Sequence, residues 1–372
     1  MKGTRMESDN GRNYGIDLYR IVCMLMIPTL HVLVHGGILF STELLSLHNE
    51  LAWLLEIACY CAVDGYALIS GYVGYGRKIR LSNLIYLYLQ VICYTVSVTI
   101  LFIVFRKSGG VVDILKALVP FAYNTYWYFS AYFCLYFLMP FLNKMLEVAS
   151  RETLKRLIIV LLFVFSLLPT IFHMDFGCTI NGYSVWWLII LYIVGGYVKK
   201  YGITYRKNWL FIYGLSVGIM WVSKIVIEII QKKFYGAPQD GTYLISYTSP
   251  FVVVCAVALL LHFEKKQCGK KMISFINFFA PVTFGAYLVH EEPLIREAFI
   301  SGAFAKYLSY APIQMVGAVI GTAFIIWLIG SLVDRIRLLI FDILNVRKLC
   351  NVIDTAIENK MQQVLGEVRC LL

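Results

Sequence analysis

Four polar side chains sit in a stretch apolar enough to lie in a bilayer: GIDLYRIVCMLMIPTLHVLVHGG, residues 15–37, carries Asp17, Arg20, His31 and His35. A charge at the bilayer centre costs ~3 kcal/mol on insertion scales, so such residues are expected to face a protein interior or a cavity. On a helix, Arg20 and His31 share one stripe, because eleven steps of ~100° make three turns plus ~20°; they stand ~16 Å apart along the axis. Asp17 and Arg20, at i and i+3, can form an ion pair, and His31 and His35 are one turn apart. A neutral imidazole is cheaper to bury than a charge and can take a proton from a hydroxyl, which makes His31 the best general-base candidate in the chain. Its alternative role is a hydrogen bond between helices. Arg20 either snorkels to the inner headgroups with Asp17 as partner or meets a ligand at that mouth. His35 belongs near the outer surface.

The next apolar stretch, CAVDGYALISGYVGY at 61–75, adds Asp64 and the pair Ser70–Gly71. Small residues let a helix or a ligand come close to the backbone. Arg77, Lys78 and Arg80 follow, where a phosphate-rich ligand would find cations.

The elements that must hold these residues are membrane helices. Of 372 residues 60% are hydrophobic and 15% charged, and the mean hydropathy is +0.73. A span needs ~20 predominantly apolar residues. Ten stretches qualify, at about 16–38, 51–73, 82–105, 122–142, 157–173, 184–198, 208–230, 243–262, 273–290 and 310–333, with an interfacial or re-entrant piece near 111–121. The expected class is an all-α polytopic membrane protein with about ten transmembrane helices. Its membrane domain covers 1–345, and an amphipathic tail on the inner leaflet, or in self-association, covers 346–372.

With the N-terminus inside, 24 Lys and Arg fall on the cytosolic side and 7 outside. Both termini are then cytosolic, as the positive-inside rule requires. The net charge of +11 is met by topology and anionic lipid, and nothing points to nucleic acid. The first stretch is too long, and lacks the small-residue cleavage site, for a removable signal peptide. The ten cysteines are scattered, mostly in spans, without ligand spacing; they are expected to pack, with Cys178 alone in an external loop and no metal site.

In this order the residues resemble a known family. Arg20 with His31, VDGYALISGY at 63–72, WYFSAYFCLYFLMP at 127–140 and FGAYLVHEEPLIR at 284–296 together are similar to the acyltransferase family 3 membrane proteins. The resemblance implies an O-acyltransferase that moves an acyl group, acetyl first, from cytosolic acyl-CoA to a hydroxyl of an exported or surface glycan, in the cell membrane of a bacterium. It places the family's intramembrane Arg and His on Arg20 and His31, with His31 as base or transient acyl carrier. Asp17, Asp64, Ser70 and Gly71 support them, and Trp127 is the aromatic opening of the middle span. Arg77, Lys78 and Arg80 become donor contacts, although Asn83 and Tyr86 depart from the family's basic stretch there. His35, His290 and Glu291 fall on the acceptor side, where His290, Glu291 and Arg296 can equally form a salt-bridged loop. Lipid and a glycan or lipid-linked sugar are the implied partners, and a homo-oligomer is open. The competing class is a transporter or flippase of a lipid-linked saccharide, for which Lys224 and Glu228, at i and i+4, would serve a proton path.

Overall fold

A computed structural model describes residues 12–106, 109–176, 179–203 and 208–371, with side chains as far as 361. The described residues form α-helices joined by short turns, with no strand among them. The first six helices are α1 (Tyr14–Val34), α2 (Leu47–Tyr60), α3 (Ala62–Gly74), α4 (Leu81–Arg106), α5 (Val111–Ala117) and α6 (Trp127–Val148). Then come α7 (Arg151–Leu162), α8 (Leu168–Phe172), α9 (Val185–Tyr201), α10 (Trp209–Tyr235) and α11 (Pro250–Glu264). The last are α12 (Lys270–Phe279), α13 (Thr283–His290), α14 (Pro293–Ile295), α15 (Pro312–Ile343) and α16 (Val346–Leu371).

Each of the ten apolar stretches is a helical segment, and eight of the segments among the described residues are long and apolar enough to cross a membrane. The other two are α9, with 17 residues, and α11, with 15. At 1.5 Å per residue they reach only ~26 and ~23 Å, short of a ~30 Å hydrocarbon core. Protein covers them instead: ten residues of α9 and eight of α11 are buried. The piece near 111–121 is α5, whose Val111, Val112 and Leu115 are exposed.

Helix α1 is the hub, packed against α2, α3, α11, α13 and α15. Its start is fixed by Asn13, whose side-chain oxygen accepts from the Gly15 and Ile16 amides and satisfies donors that have no intrahelical partner. Large apolar side chains such as Phe141, Phe211, Ile313 and Ile343 point outward from the bundle, as a lipid-facing surface requires.

Glycine sets the tightest crossing. A Cβ on Gly71 of α3 would collide with the Tyr192 carbonyl of α9, and one on Gly195 of α9 with the Leu68 carbonyl of α3. The two backbones therefore touch, and Gly71 is part of the α3–α9 packing contact. Asp64 also meets α9, through Oδ1, while its Oδ2 has no hydrogen-bond partner. It is fully buried, accepts from the Trp187 indole N–H at 3.0 Å, lines none of the cavities described below, and ties α3 to α9.

Lys224 and Glu228 hold α10 to α2. The ammonium lies 2.8 Å from Glu228, 3.0 Å from Glu50 and 2.7 Å from the Asn49 side-chain oxygen, and both Lys224 and Glu228 are fully buried. The tail helix α16 docks on α4: Arg347 donates to Asn83 at 2.9 Å, Cys350 and Asp354 are buried, and Glu358 lies 3.8 Å from Lys78. Leu349, Val352, Ile357 and Met361 stay exposed along it, an apolar face of the kind that lies on a membrane. The remaining apolar tail positions, Val364, Leu365, Val368, Leu371 and Leu372, lie outside the described side chains. Cys178 lies outside the described residues. Cys23, Cys59, Cys61 and Cys255 are buried as expected, but Cys134 is exposed and Cys93 half-buried.

Candidate active site

Helix α1 carries Arg20 near one end and His31 near the other, and three cavities follow it from end to end. The first, about 550 Å³, is a basic mouth lined by Arg12, Asp17, Arg20, Tyr72, Arg77 and Lys199. The second, about 210 Å³, shares Arg20, Ala280 and Pro281 with the first and adds Ser70, Tyr66 and Tyr132. The third, about 500 Å³, shares Tyr66, Tyr128 and Phe284 with the second and contains His31, His35, Trp127, Glu291 and Arg296. Arg20 therefore stands where the mouth meets the middle section, and His31 in the far chamber, ~16 Å along the helix.

At the mouth, Asp17 is shared. Arg12 bonds it at 2.6 Å and Arg20 at 3.3 Å, so the stronger partner is Arg12 from just before the helix. Arg77 lines this cavity, but two of its neighbours do not. Lys78 turns toward Glu358 of α16, and Arg80 is exposed and contributes only its carbonyl, which accepts from the Tyr136 hydroxyl. Four cations on one wall, Arg12, Arg20, Arg77 and Lys199, against a single carboxylate, make an anion site, with guanidinium groups suited to phosphate. Arg12 and Lys199 counted toward the topology in sequence; nothing in their spacing assigns them to this wall, because they come from the chain start and from α9. Ser70 lines the middle section, its hydroxyl returned to the Tyr66 carbonyl at 3.0 Å.

In the far chamber the histidines set one another's protons. His290 Nδ1 lies 2.7 Å from the Ala286 carbonyl oxygen; a carbonyl only accepts, so this nitrogen carries the hydrogen. A neutral His290 then offers a bare Nε2, 3.0 Å from His31 Nδ1, and His31 Nδ1 is the donor. The remaining nitrogen of His31, Nε2, keeps its lone pair. Glu291 Oε2 lies 3.1 Å from the same Nδ1 and has no hydrogen-bond partner of its own, while Oε1 takes Arg296 at 2.6 Å. The salt bridge expected in the 290–296 segment is formed by Glu291 and Arg296, and it leaves the other carboxylate oxygen facing His31. His35 lies one turn on, 5.2 Å from His31 between ring centroids.

His31, His35 and Glu291 place one ligand atom each within 4.8 Å of one another, so the set could hold a cation. The His31 Nδ1 and Glu291 Oε1 atoms are engaged by His290 and Arg296, which leaves His31 Nε2 and Glu291 Oε2 as the atoms open to a cation.

A polytopic helical membrane protein with a basic mouth at one end of α1 and a buried histidine–carboxylate chamber at the other is the class these features define. The acyltransferase family 3 model, described as an acyltransferase domain, matches residues 13–331, and the chain belongs to that family. No curated protein and no solved structure matches it.

Proposed function

We propose that this acyltransferase takes its acyl group from a cytosolic acyl-CoA, acetyl-CoA in the simplest case, and passes it to a saccharide hydroxyl on the opposite side of the membrane. The observation that carries the reading is the series of three cavities along α1 from Arg20 to His31, each sharing lining residues with the next.

The excess of Lys and Arg puts the basic mouth in the cytosol. There the phosphates of CoA meet Arg12, Arg20, Arg77 and Lys199, with Asp17 fixing the two arginines. The extended pantetheine arm runs past Ser70 and Tyr66, and the thioester arrives beside His31. His31 Nε2 takes the proton of the acceptor hydroxyl as its oxygen attacks the thioester carbonyl. The C–S bond breaks, the proton passes to the departing thiolate, and the products are an ester and free CoA. Glu291, held by Arg296, stabilises the imidazolium that exists in between. Arg20 is too far along the helix to touch the reacting carbonyl and serves the CoA moiety.

Saccharide transport draws less support. Lys224 and Glu228, the residues that would couple it, are sealed between α2 and α10 and line none of the three cavities. The test is release of free CoA from acetyl-CoA by the purified protein supplied with a cell-envelope glycan fraction, in wild type, His31→Ala and Arg20→Ala. Loss of turnover in both folded variants supports the reading. A His31→Ala protein as active as wild type would falsify the assigned base.

A further inference from the structure

Glu56 on α2 is 3% exposed, its Oε2 has no hydrogen-bond partner, and it lines the same chamber as His31. A buried carboxyl without a partner is costly, and an orphaned group in a cavity wall is satisfied by whatever enters the cavity. Its surroundings are rings. Tyr60 stacks on Tyr247 at 4.6 Å, Tyr183 meets Tyr247 at 5.1 Å, and Trp127 packs on Tyr183 at 4.6 Å, all four lining the chamber. Flat aromatic faces give a cyclic ligand area without demanding charge.

The charge balance narrows the ligand. The one Lys or Arg among the described lining residues is Arg296, and its guanidinium is already committed to Glu291. An anionic ring would enter a chamber with three carboxyls, Glu56, Asp240 and Glu291, and no free cation, at a desolvation cost nothing repays.

We infer that Glu56 and the Tyr60–Tyr247–Tyr183–Trp127 wall form an acceptor subsite for an uncharged, hydroxyl-bearing ring, with Glu56 holding one hydroxyl so that another is presented to His31. Glu56 is a positioning residue: it acts on the acceptor and leaves the donor site untouched. The inference rests on the acyl-transfer reading for what the subsite is used for, and its test is therefore binding, which needs no turnover.

The full chain in lipid nanodiscs is titrated with methyl β-glucoside, glucuronate and tetramethylammonium, following the fluorescence of Trp53 and Trp127 in the chamber wall. Methyl glucoside is expected to give a saturable change that weakens ~10-fold or more in Glu56→Gln, where a charge-assisted hydrogen bond gives way to a neutral one. It should also weaken in Tyr183→Ala, whose ring is 44% exposed. Glucuronate should not bind wild type. CoA affinity unchanged in both variants shows that they are folded.

Sugar binding indifferent to Glu56→Gln, or absent, overturns the subsite, as does tighter binding of glucuronate. Glu56-dependent binding of tetramethylammonium in place of the sugar overturns the ligand class, making the wall a cage for a cation. Glu56-dependent sugar binding without CoA release keeps the subsite and removes the acyl-transfer reading. His31-dependent CoA release with Glu56 silent does the reverse.

Discussion

A neutral imidazole acts as a base through one bare nitrogen, and at His31 the neighbours choose which. The Ala286 carbonyl fixes the His290 proton, His290 fixes the proton of His31, and Nε2 is left free. Removing the base is expected to lower transfer by ~10² to 10⁴ in His31→Ala with CoA affinity unchanged, read as kcat against the Kd for CoA. Beside this site Glu292 responds to pH through stability. Its carboxyl is buried, and burial holds it up at about 6, above the usual glutamate range. A folded-state value raised in this way means the group stabilises the fold most below pH ~4.3 and loses that contribution as the pH rises through about 6, a change of ~2 kcal/mol. Glu292→Gln keeps the acceptor that caps the Leu294 and Ile295 amides and should flatten that part of the Tm-against-pH curve.

Helices place these residues through two kinds of junction. The α3–α9 crossing depends on Gly71 and Gly195, and Gly71→Ala forces the backbones apart, at ~1–3 kcal/mol for overpacking a close contact. Denaturant unfolding in detergent measures it. The α2–α10 junction depends on charge. Lys224→Met leaves Glu50 and Glu228 buried without their cation, and breaking such a pair costs ~3–5 kcal/mol. The Lys224→Met protein that folds should still release CoA at the wild-type rate, because this cluster lies off the cavity line; loss of turnover at full stability would bring the transport reading back.

Across the molecule, the proposed transfer needs the mouth, middle section and chamber to act as one conduit. Ser70→Leu fills the middle section, and is expected to abolish transfer while the mouth still binds adenosine 3′,5′-bisphosphate, the phosphate-bearing head of CoA without its arm. Both are measurable on one preparation, by thiol release and by calorimetry. Head-group binding at the mouth should weaken with added salt, because four partly exposed cations there are screened within ~10 Å at 0.1 M.

Periodicity and hydropathy were enough for the helices. Every apolar stretch is a helical segment, since a bilayer leaves the backbone no other way to satisfy its hydrogen bonds, and Arg20 and His31 share a stripe because an α-helix turns at a fixed angle per residue. Long-range packing decided the rest. Asp64 and Gly71 look the same in sequence whether they face a ligand or a helix, and only the fold shows that both meet α9. Arg12, Lys199, Glu56 and Arg296 belong to four separate segments, and their membership of one mouth or one chamber depends on how α1, α2, α9 and the segment after α13 meet. Residues far apart in the chain have no spacing rule to reveal them, because their distance is set by the fold and not by the backbone between them.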